Sequence, residues 1–301
     1  AYPDKKHIIS SRIEHPAVLQ ACRWLERIGY PVTYLDVDRS GNIDPGDLVR
    51  AIREDTGLIT IMMANNETGT LQNIREMTAI AKERQAVFHC DAVQAFGKID
   101  IEVEDLGVDL LTVSAHKIHG PKGVGALYIR KGIELESLVH GGNQELGYRA
   151  GTENVIGIAG FGVATEQLTR FQKEMARIAG LRDRLEAGIR EIIPEAVLNG
   201  NREFRLPNTL NMTLPGIRGE SLVLEMNREG IYFSSGSACH SGSPDPSHAL
   251  LAMGMSRDAA HCSVRFSLSH ETTADMITEV LSVLGRVIRD SKSMVRFVSC
   301  K

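Results

Sequence analysis

The sequence has few cysteines and lacks any long apolar run, and both absences narrow the class of protein. Its cysteines are widely spaced and form no CxxC pair: Cys22, Cys90, Cys239, Cys262 and Cys300. This spacing argues against a disulfide framework or a structural zinc site and predicts a reducing, cytoplasmic location. No stretch approaches the roughly 20 apolar residues that a membrane span needs, and the first residues show no signal-peptide pattern.

The sequence also lacks a large excess of either positive or negative charge. The sequence has 34 basic and 38 acidic residues, so its net charge is −4. This balance indicates neither a nucleic-acid partner nor binding to an anionic membrane. Hydrophobic residues make up 43% of the 301 residues and charged residues 24%, which is typical of a soluble globular protein.

Short apolar runs alternate with amphipathic stretches over the first half of the sequence. Strands are predicted at residues 7–11, 31–35, 58–63, 86–90, 109–115 and 123–129, and helices at 16–29, 45–54 and 74–85. This alternation predicts an α/β fold in which helices cover a mostly parallel sheet. Ligands bind at the carboxyl ends of the strands in such sheets, so polar residues that follow a strand are candidate site residues.

The second half of the sequence has less buried strand. Long helices are predicted between about residues 151 and 190, and strands and helices are then mixed up to the end of the chain. Strands are predicted there at 206–214, 231–235 and 263–269, and helices at 219–229 and 272–289. We therefore predict a large domain of residues 1–171 and a smaller α+β domain of residues 172–301.

Residues 36–47, DVDRSGNIDPGD, imitate the spacing of a calcium-binding loop. The last position holds Asp47, where that loop needs a bidentate Glu, and a predicted strand leads into the loop where a helix is required. We favour a strand-to-helix loop in which Asp44 caps the helix and Pro45 occupies its first turn. No metal site is predicted.

A lysine follows the predicted strand 109–115, within SAHKIHGPKGVG. Lys117 lies there beside Ser114, His116 and several glycines, a setting that suits a Schiff base with an aldehyde cofactor. Ser114 and His116 can hydrogen-bond a phosphate. The alternative interpretation is a solvated surface lysine.

An aspartate follows the predicted strand 86–90 in the same way, within HCDAVQ. Asp91 can keep a pyridine nitrogen protonated, which turns the ring into an electron sink, and Gln94 can reach a ring hydroxyl. The alternative interpretation of Asp91 is a carboxylate that anchors a loop, and that of Gln94 is a surface amide.

A series of motifs occurs in the order in which cysteine desulfurases carry them. They are EHPAV (14–18), NNETG (65–69), HCDAVQ (89–94), SAHKIHGPKGVG (114–125), GGNQELGYRAGTEN (141–154), SSGSAC (234–239) and VRFSLS (264–269). The sequence thus resembles the nitrogen-fixation and iron–sulfur-cluster type of these enzymes over nearly its whole length. The resemblance implies the fold of type I transferases that depend on pyridoxal 5'-phosphate (PLP), in the aspartate aminotransferase superfamily.

The resemblance implies the residues around the cofactor ring. Lys117 would form the Schiff base with PLP and shuttle protons, and His15 would stack on the ring and act as an acid or base. Asp91 would pair with the ring nitrogen and Gln94 with the ring oxygen. Asn66 would assist near the ring oxygen and the substrate.

The resemblance also implies the residues that contact the phosphate and the substrate. Ser114 and His116 would hold the phosphate, and Thr152 would reach the phosphate of the neighbouring subunit in a homodimer. Arg265 would bind the substrate carboxylate, for which its planar guanidinium is suited. Cys239 lies in Ser/Gly-rich sequence that predicts a loop, and its thiolate would take up the substrate sulfur as a persulfide.

The implied activity converts L-cysteine to L-alanine and passes sulfur to iron–sulfur cluster assembly or to other acceptors. The implied partners are L-cysteine, a sulfur acceptor or iron–sulfur scaffold protein, and a second copy of the chain; no nucleic-acid or membrane partner is expected. A PLP-dependent lyase or aminotransferase of the same fold is the alternative enzyme. A non-catalytic, truncated scaffold is the alternative from another class.

Members of this family begin several tens of residues before the His15 motif. That stretch includes a Gly/Ala-Thr loop at a helix N-terminus, which helps to bind the phosphate. The present sequence starts almost directly before the motif, so we expect a fragment or a naturally short variant. Weaker PLP binding and fewer dimer contacts are expected in either case.

Overall fold

The computed structural model describes residues 4–236 and 245–294, except for the side chains of residues 291–294. The strands are β1 (His7–Ser11), β2 (Val32–Leu35), β3 (Thr56–Met62), β4 (Val87–Asp91), β5 (Leu110–Ser114), β6 (Gly125–Ile129), β7 (Val197–Leu198), β8 (Thr209–Thr213), β9 (Ser234–Ser235) and β10 (Ser263–Ser267). The helices are α1 (Pro16–Arg27), α2 (Pro45–Ala51), α3 (Ile74–Glu83), α4 (Val103–Leu106), α5 (Val155–Glu166), α6 (Leu168–Ile192), α7 (Gly219–Arg228), α8 (His248–Ala252), α9 (Arg257–His261) and α10 (Ala274–Met294).

The first sheet has six strands in the order β2-β1-β3-β4-β5-β6. Strands β1 to β5 are parallel to one another, and β6 pairs antiparallel with β5 at the edge. The prediction of a mostly parallel sheet is therefore confirmed. Strand β3 is buried over almost its whole length, as expected for a central strand that is covered on both faces.

The hydrophobic core of this half joins the sheet to its crossover helices. Ile9, Ile59 and Phe88 of the strands pack in one cluster with Leu48 of α2 and Met77 of α3. Each of these side chains is at most 1% exposed. Burial of this kind stabilises a helix more than its intrinsic propensity does, so α2 and α3 depend on the sheet they cover.

The loop at residues 36–47 is a strand-to-helix connection. Asp38 Oδ1 accepts hydrogen bonds from the Ser40 and Asn42 amides at 2.8 and 2.9 Å, and Asp44 Oδ1 caps α2 by accepting from the Gly46 amide at 2.8 Å. Pro45 occupies the first turn of α2. The structure therefore confirms the predicted cap. In the part of the chain that the structure describes, no group of three or more His, Cys, Asp or Glu side chains is arranged to hold a metal ion.

The second sheet has four strands in the order β7-β8-β10-β9, and all its pairs are antiparallel. A second hydrophobic cluster covers it, in which Leu210 and Val264 of the sheet pack with Ile189 of α6, Leu222 of α7 and Leu284 of α10. The predicted strand 231–235 is shorter than expected, because only β9 pairs with β10. Phe233 is held instead by stacking on Phe266, with the ring centroids 4.5 Å apart.

Helix α6 belongs to both halves of the molecule. Its first residues lie beside the first sheet, where Leu168 packs against that sheet's core, whereas Leu185 and Ile189 belong to the second cluster. Residue 172, the predicted start of the second domain, lies inside this helix. The division into domains 1–171 and 172–301 stays a prediction.

Candidate active site

A cleft of about 290 Å³ lies between the two sheets. The carboxyl ends of β3, β4 and β5 reach it from the first sheet, and β8 and β10 reach it from the second. Of the site residues that the sequence predicts, the structure brings five to this cleft: Asn66, Gln94, His116, Lys117 and Arg265. The first four follow strands of the first sheet, and they meet because parallel strands end at one edge of the sheet.

Positive charge dominates the cleft. Lys98, Lys117 and Arg265 line it, together with His116, His119 and His270, and no Asp or Glu is among its lining residues within the described part of the chain. A cleft with this set of donors suits an anionic ligand such as a phosphate or a carboxylate. PLP carries a phosphate and an amino-acid substrate carries a carboxylate, so the residues present fit both groups.

Lys117 is held by a tight turn at the end of β5. The turn Ala115–Lys117 is a 3-10 helix, and the Gly120 amide donates a hydrogen bond to Ala115 O at 2.9 Å. A Cβ atom at Gly120 would lie 2.9 Å from the Ala115 Cβ, so a larger residue would force the turn apart. The backbone on both sides of Lys117 is therefore fixed by local packing.

Ser114 and His116 flank this turn and are joined to each other. Ser114 Oγ and His116 Nδ1 lie 2.7 Å apart, at hydrogen-bond distance. Partial burial, and the charges of Lys117 and Lys122, lower the pKa of His116. The imidazole is therefore neutral at neutral pH, and it can accept a hydrogen bond at one ring nitrogen and donate one at the other.

Arg265 connects the second sheet to the end of β3. Its Nη1 donates to the backbone oxygen of Asn66 at 2.8 Å, and its Nη2 donates to Ser234 Oγ at 3.3 Å. Its buried Nε has no hydrogen-bond partner within the described chain. These contacts orient the guanidinium at the cleft before any ligand binds.

The other predicted site residues that the structure describes do not line the cleft. Asp91 ends β4, where it is half-buried and its Oδ1 accepts from the Val93 amide at 3.0 Å. His15 caps α1, with its Nδ1 accepting from the Ala17 amide at 3.1 Å. Ser114 contacts His116, which lines the cleft, and Thr152 is exposed just before α5.

Cys239 lies outside the described residues, so its predicted role stays a prediction. The strand β9 precedes it and pairs with β10 at Val264 and Arg265. The three described cysteines, Cys22, Cys90 and Cys262, are buried. Burial raises the pKa of the Cys22 and Cys90 thiols, so both stay protonated and are poor nucleophiles.

Lys98 is a cleft residue that the sequence analysis missed. Its Nζ donates to Gln94 O at 2.8 Å and to Gln94 Oε1 at 3.0 Å. Burial, together with the charges of Lys117 and Arg265, lowers the pKa of Lys98 to about 7. The spacing of four residues between Gln94 and Lys98 was the available signal, because such residues meet on one side of a helical turn.

An aromatic cluster at the cleft was also missed. His270 stacks on Phe171 with the ring centroids 4.3 Å apart, and His119 meets His270 edge-on at 4.8 Å. His119 has a φ of 66°, which is uncommon for a residue other than glycine. The cluster packs the segment after Lys117 against α6 and against the segment that follows β10.

Comparison with known proteins identifies the family. The family model described as aminotransferase class-V matches residues 2–280. The cysteine desulfurase IscS of Dictyoglomus turgidum is 49% identical over 290 residues, which cover 96% of this chain and 74% of that protein. The chain thus spans about three quarters of that relative's length.

Solved structures give the same result. A NifS-like protein superposes with a TM-score of 0.87 at 38% identity, over 96% of this chain and 76% of that one. A structure described as SspA in complex with cysteine has a TM-score of 0.76 at 39% identity, over 90% of this chain and 76% of that one. The fold described above, with its mostly parallel first sheet, is therefore that of the type I PLP-dependent transferases. By sequence and by structure, the chain belongs to the aminotransferase class-V family and, within it, to the cysteine desulfurases.

Proposed function

We propose that this protein uses PLP to remove sulfur from L-cysteine, releasing L-alanine and leaving the sulfur on Cys239. The observation that carries the proposal is the convergence of Lys117 and Arg265 on one cationic cleft. An amine that can bind an aldehyde and a guanidinium that can bind a carboxylate then face the same volume. An amino acid bound by its carboxylate at Arg265 would meet a cofactor held at Lys117.

Several residues would hold PLP. Lys117 would bind its aldehyde carbon, His116 with Ser114 would bind its phosphate, and Gln94 would bind its ring oxygen. Asp91 would face the ring nitrogen and His15 the ring face, and Asn66 would assist near the ring oxygen. When bound, PLP supplies an electron sink that stabilises negative charge on the substrate.

The protein's own groups would perform the remaining chemistry. Arg265, oriented by Asn66 O, would bind the substrate carboxylate, and Lys117 Nζ would take up and return protons beside the substrate. The Cys239 thiolate would form a bond to the substrate sulfur as the carbon–sulfur bond breaks. The electron pair of that bond stays on carbon, which takes up a proton and becomes the methyl group of L-alanine.

A second copy of the chain is the first proposed partner. Helix α5 exposes Val155, Ile156 and Val163 by 69%, 87% and 61%. Apolar surface of this kind is typical of a protein–protein interface. Thr152 is exposed just before α5, where it could reach a phosphate bound by that second copy. A sulfur acceptor in the cytoplasm, such as an iron–sulfur scaffold protein, would be the second partner.

Two substitutions test the proposal in the purified protein supplied with PLP. Lys117→Ala should abolish the visible absorbance band of the bound cofactor, whereas Lys131→Ala, at an exposed lysine, should keep it. Cys239→Ser should keep the band but abolish release of L-alanine from L-cysteine, with Cys300→Ser as the matched control. Release of pyruvate by Cys239→Ser would favour a lyase, and a wild-type chain that never takes up PLP would favour a scaffold.

A further inference from the structure

The turn that follows β4 places an amine and an amide side by side in the cleft. The Ala95 and Lys98 amides donate to Ala92 O and Ala95 O, both at 3.0 Å, so the chain coils and brings Gln94 next to Lys98. Lys98 Nζ then bonds both the backbone oxygen and the side-chain oxygen of Gln94, at 2.8 and 3.0 Å. The two side chains line the cleft together.

The ammonium group decides which end of the Gln94 amide faces it. A protonated lysine has three hydrogen-bond donors and no acceptor, so it selects the amide oxygen and not the NH2 group. The Gln94 NH2 group is then turned away from Lys98 and keeps both its donors. Without Lys98 the two orientations of the amide differ far less in energy, because no donor fixes the oxygen.

The charge on Lys98 depends on what the cleft contains. Burial of its amine lowers the pKa of Lys98 to about 7, and the charges of Lys117 and Arg265 act in the same direction. His119 also interacts electrostatically with Lys98. An anion bound in the cleft would oppose these effects and favour the ammonium form. Filling the site with an anion would therefore favour the charged, donating form of Lys98.

We propose that Lys98 is a positioning residue that turns the Gln94 NH2 group toward the ring oxygen of the bound cofactor. The inference rests on the proposed function and adds a residue to it. A negatively charged ring oxygen needs a donor, and an inverted amide would place an oxygen against it. Lys98 thus acts on the cofactor through Gln94.

Spectroscopic titration of the loaded protein, without substrate, tests this role. A donor on the ring oxygen lowers the proton affinity of the cofactor chromophore, so its loss should raise the pH midpoint of the absorbance change. For Lys98→Met we expect a rise of about 0.5–1 pH unit, the size of one lost hydrogen bond, and a PLP dissociation constant about 3- to 10-fold higher. Lys98→Arg, which keeps a donor, should restore most of the midpoint.

A double-mutant cycle separates positioning from a direct contact. In a Gln94→Leu background, Lys98→Met should add almost nothing, because the group through which Lys98 acts is gone. Gln94→Glu keeps the pairing with Lys98 but cannot offer a donor, so it should raise the midpoint as well. Lys98→Leu, which also removes the amine, replaces Lys98→Met if that variant fails to fold, and it should raise the midpoint in the same way.

The outcomes distinguish this inference from the proposed function. If the wild type binds PLP and releases L-alanine but Lys98→Met titrates like the wild type, the positioning role is wrong and the function stands. Full additivity of the two shifts would mean that Lys98 contacts the cofactor directly, which also overturns the inference. If the wild type binds no PLP, the proposed function fails first.

Discussion

Glu14 is a buried acid next to the candidate base His15. Its side chain is completely buried, and its Oε1 accepts from Ser11 Oγ at 2.7 Å and from the Met62 amide at 2.9 Å. Its Oε2 has no hydrogen-bond partner among the described residues. Burial raises the pKa of Glu14 to about 8, although the bonds from Ser11 and Met62 oppose the rise. The folded protein therefore holds this group as a neutral acid.

Substitution of Glu14 by Gln should change how stability depends on pH. In the unfolded chain the acid ionises near pH 4.5, whereas in the folded chain it does so near pH 8. The wild type should therefore lose stability as pH rises between these values, by up to about 1.4 kcal/mol per pH unit. Glu14→Gln imitates the neutral acid and should remove this slope. Urea unfolding at several pH values measures it.

The control is Glu191→Gln, at an exposed acid of α6, which should unfold in parallel with the wild type at every pH. Parallel curves for Glu14→Gln and the wild type would show that Glu14 is ionised in the folded protein. If the wild type instead gained stability over Glu14→Gln as pH rises in this range, the predicted effect would be wrong.

At the residue scale, the sequence predicts groups at strand ends and misses groups whose behaviour depends on burial. Lys117 and Gln94 follow strands, so their convergence is predictable. Arg265 lies within β10, and only the family resemblance indicated its role. The altered pKa values of Lys98 and Glu14 arise from tertiary burial, which one sequence without its fold does not reveal.

At the element scale, the turn between β4 and α4 depends on Gly97. Its φ is +77°, and a Cβ there would lie 2.6 Å from Leu168 Cδ2 and 2.8 Å from Ile118 Cγ2. Ile118 is the residue next to Lys117, so the turn that holds Gln94 and Lys98 packs directly on the turn that holds Lys117. Absence of a side chain at this position allows the close contact.

Substitution of Gly97 by Ala should therefore destabilise the protein in two ways. The left-handed backbone costs an L-residue roughly 1–2 kcal/mol, and the overpacking against Leu168 and Ile118 adds about 1–3 kcal/mol. Gly216 is the matched control, since its φ is also +77° but a Cβ at this position would have no atom within 4 Å. Gly97→Ala should lower the free energy of unfolding more than Gly216→Ala does. Equal losses would exclude a packing effect.

Long elements were predictable and short ones were not. The strands of the first sheet and α6 have enough residues to show a hydrophobic period. Strand β7 has two residues and α4 has four, too few for any period. The predicted strand 231–235 was too long, because the apolar side chain of Phe233 packs on Phe266 and its backbone does not pair in the sheet.

At the scale of the whole molecule, the exposed face of α5 determines the expected assembly. Ile156 is 87% exposed and lies near Val155 and Val163, which are also exposed. If a second copy covers this face, Ile156→Glu should yield a chain of half the native mass by light scattering, because a buried unpaired charge opposes association. Leu224→Glu, at an exposed position on α7, should keep the native mass.

If light scattering gave the mass of a monomer for the wild type, the expected dimer would be contradicted. A dimer that Ile156→Glu leaves intact would show that another surface joins the copies. Among the residues that the structure describes, none of the helices combines the length and apolar character that crossing a bilayer requires.

The fold class was predictable at this scale, but the shape of the cleft was not. Alternation of strands and helices indicates a parallel sheet in one half. Which residues of the second sheet face the first depends on how the two sheets pack, as in the bond from Arg265 to Asn66 O. No local sequence pattern specifies a contact between residues so far apart in the chain.

The lack of acidic side chains among the described residues that line the cleft has a consequence for kinetics. The protein carries a net charge of −4, yet Lys98, Lys117 and Arg265 concentrate positive charge at one opening. A local positive potential accelerates the arrival of anions, and dissolved salt screens it over about 10 Å at 0.1 M. The association rate of PLP should therefore fall as ionic strength rises, even though the protein as a whole repels anions.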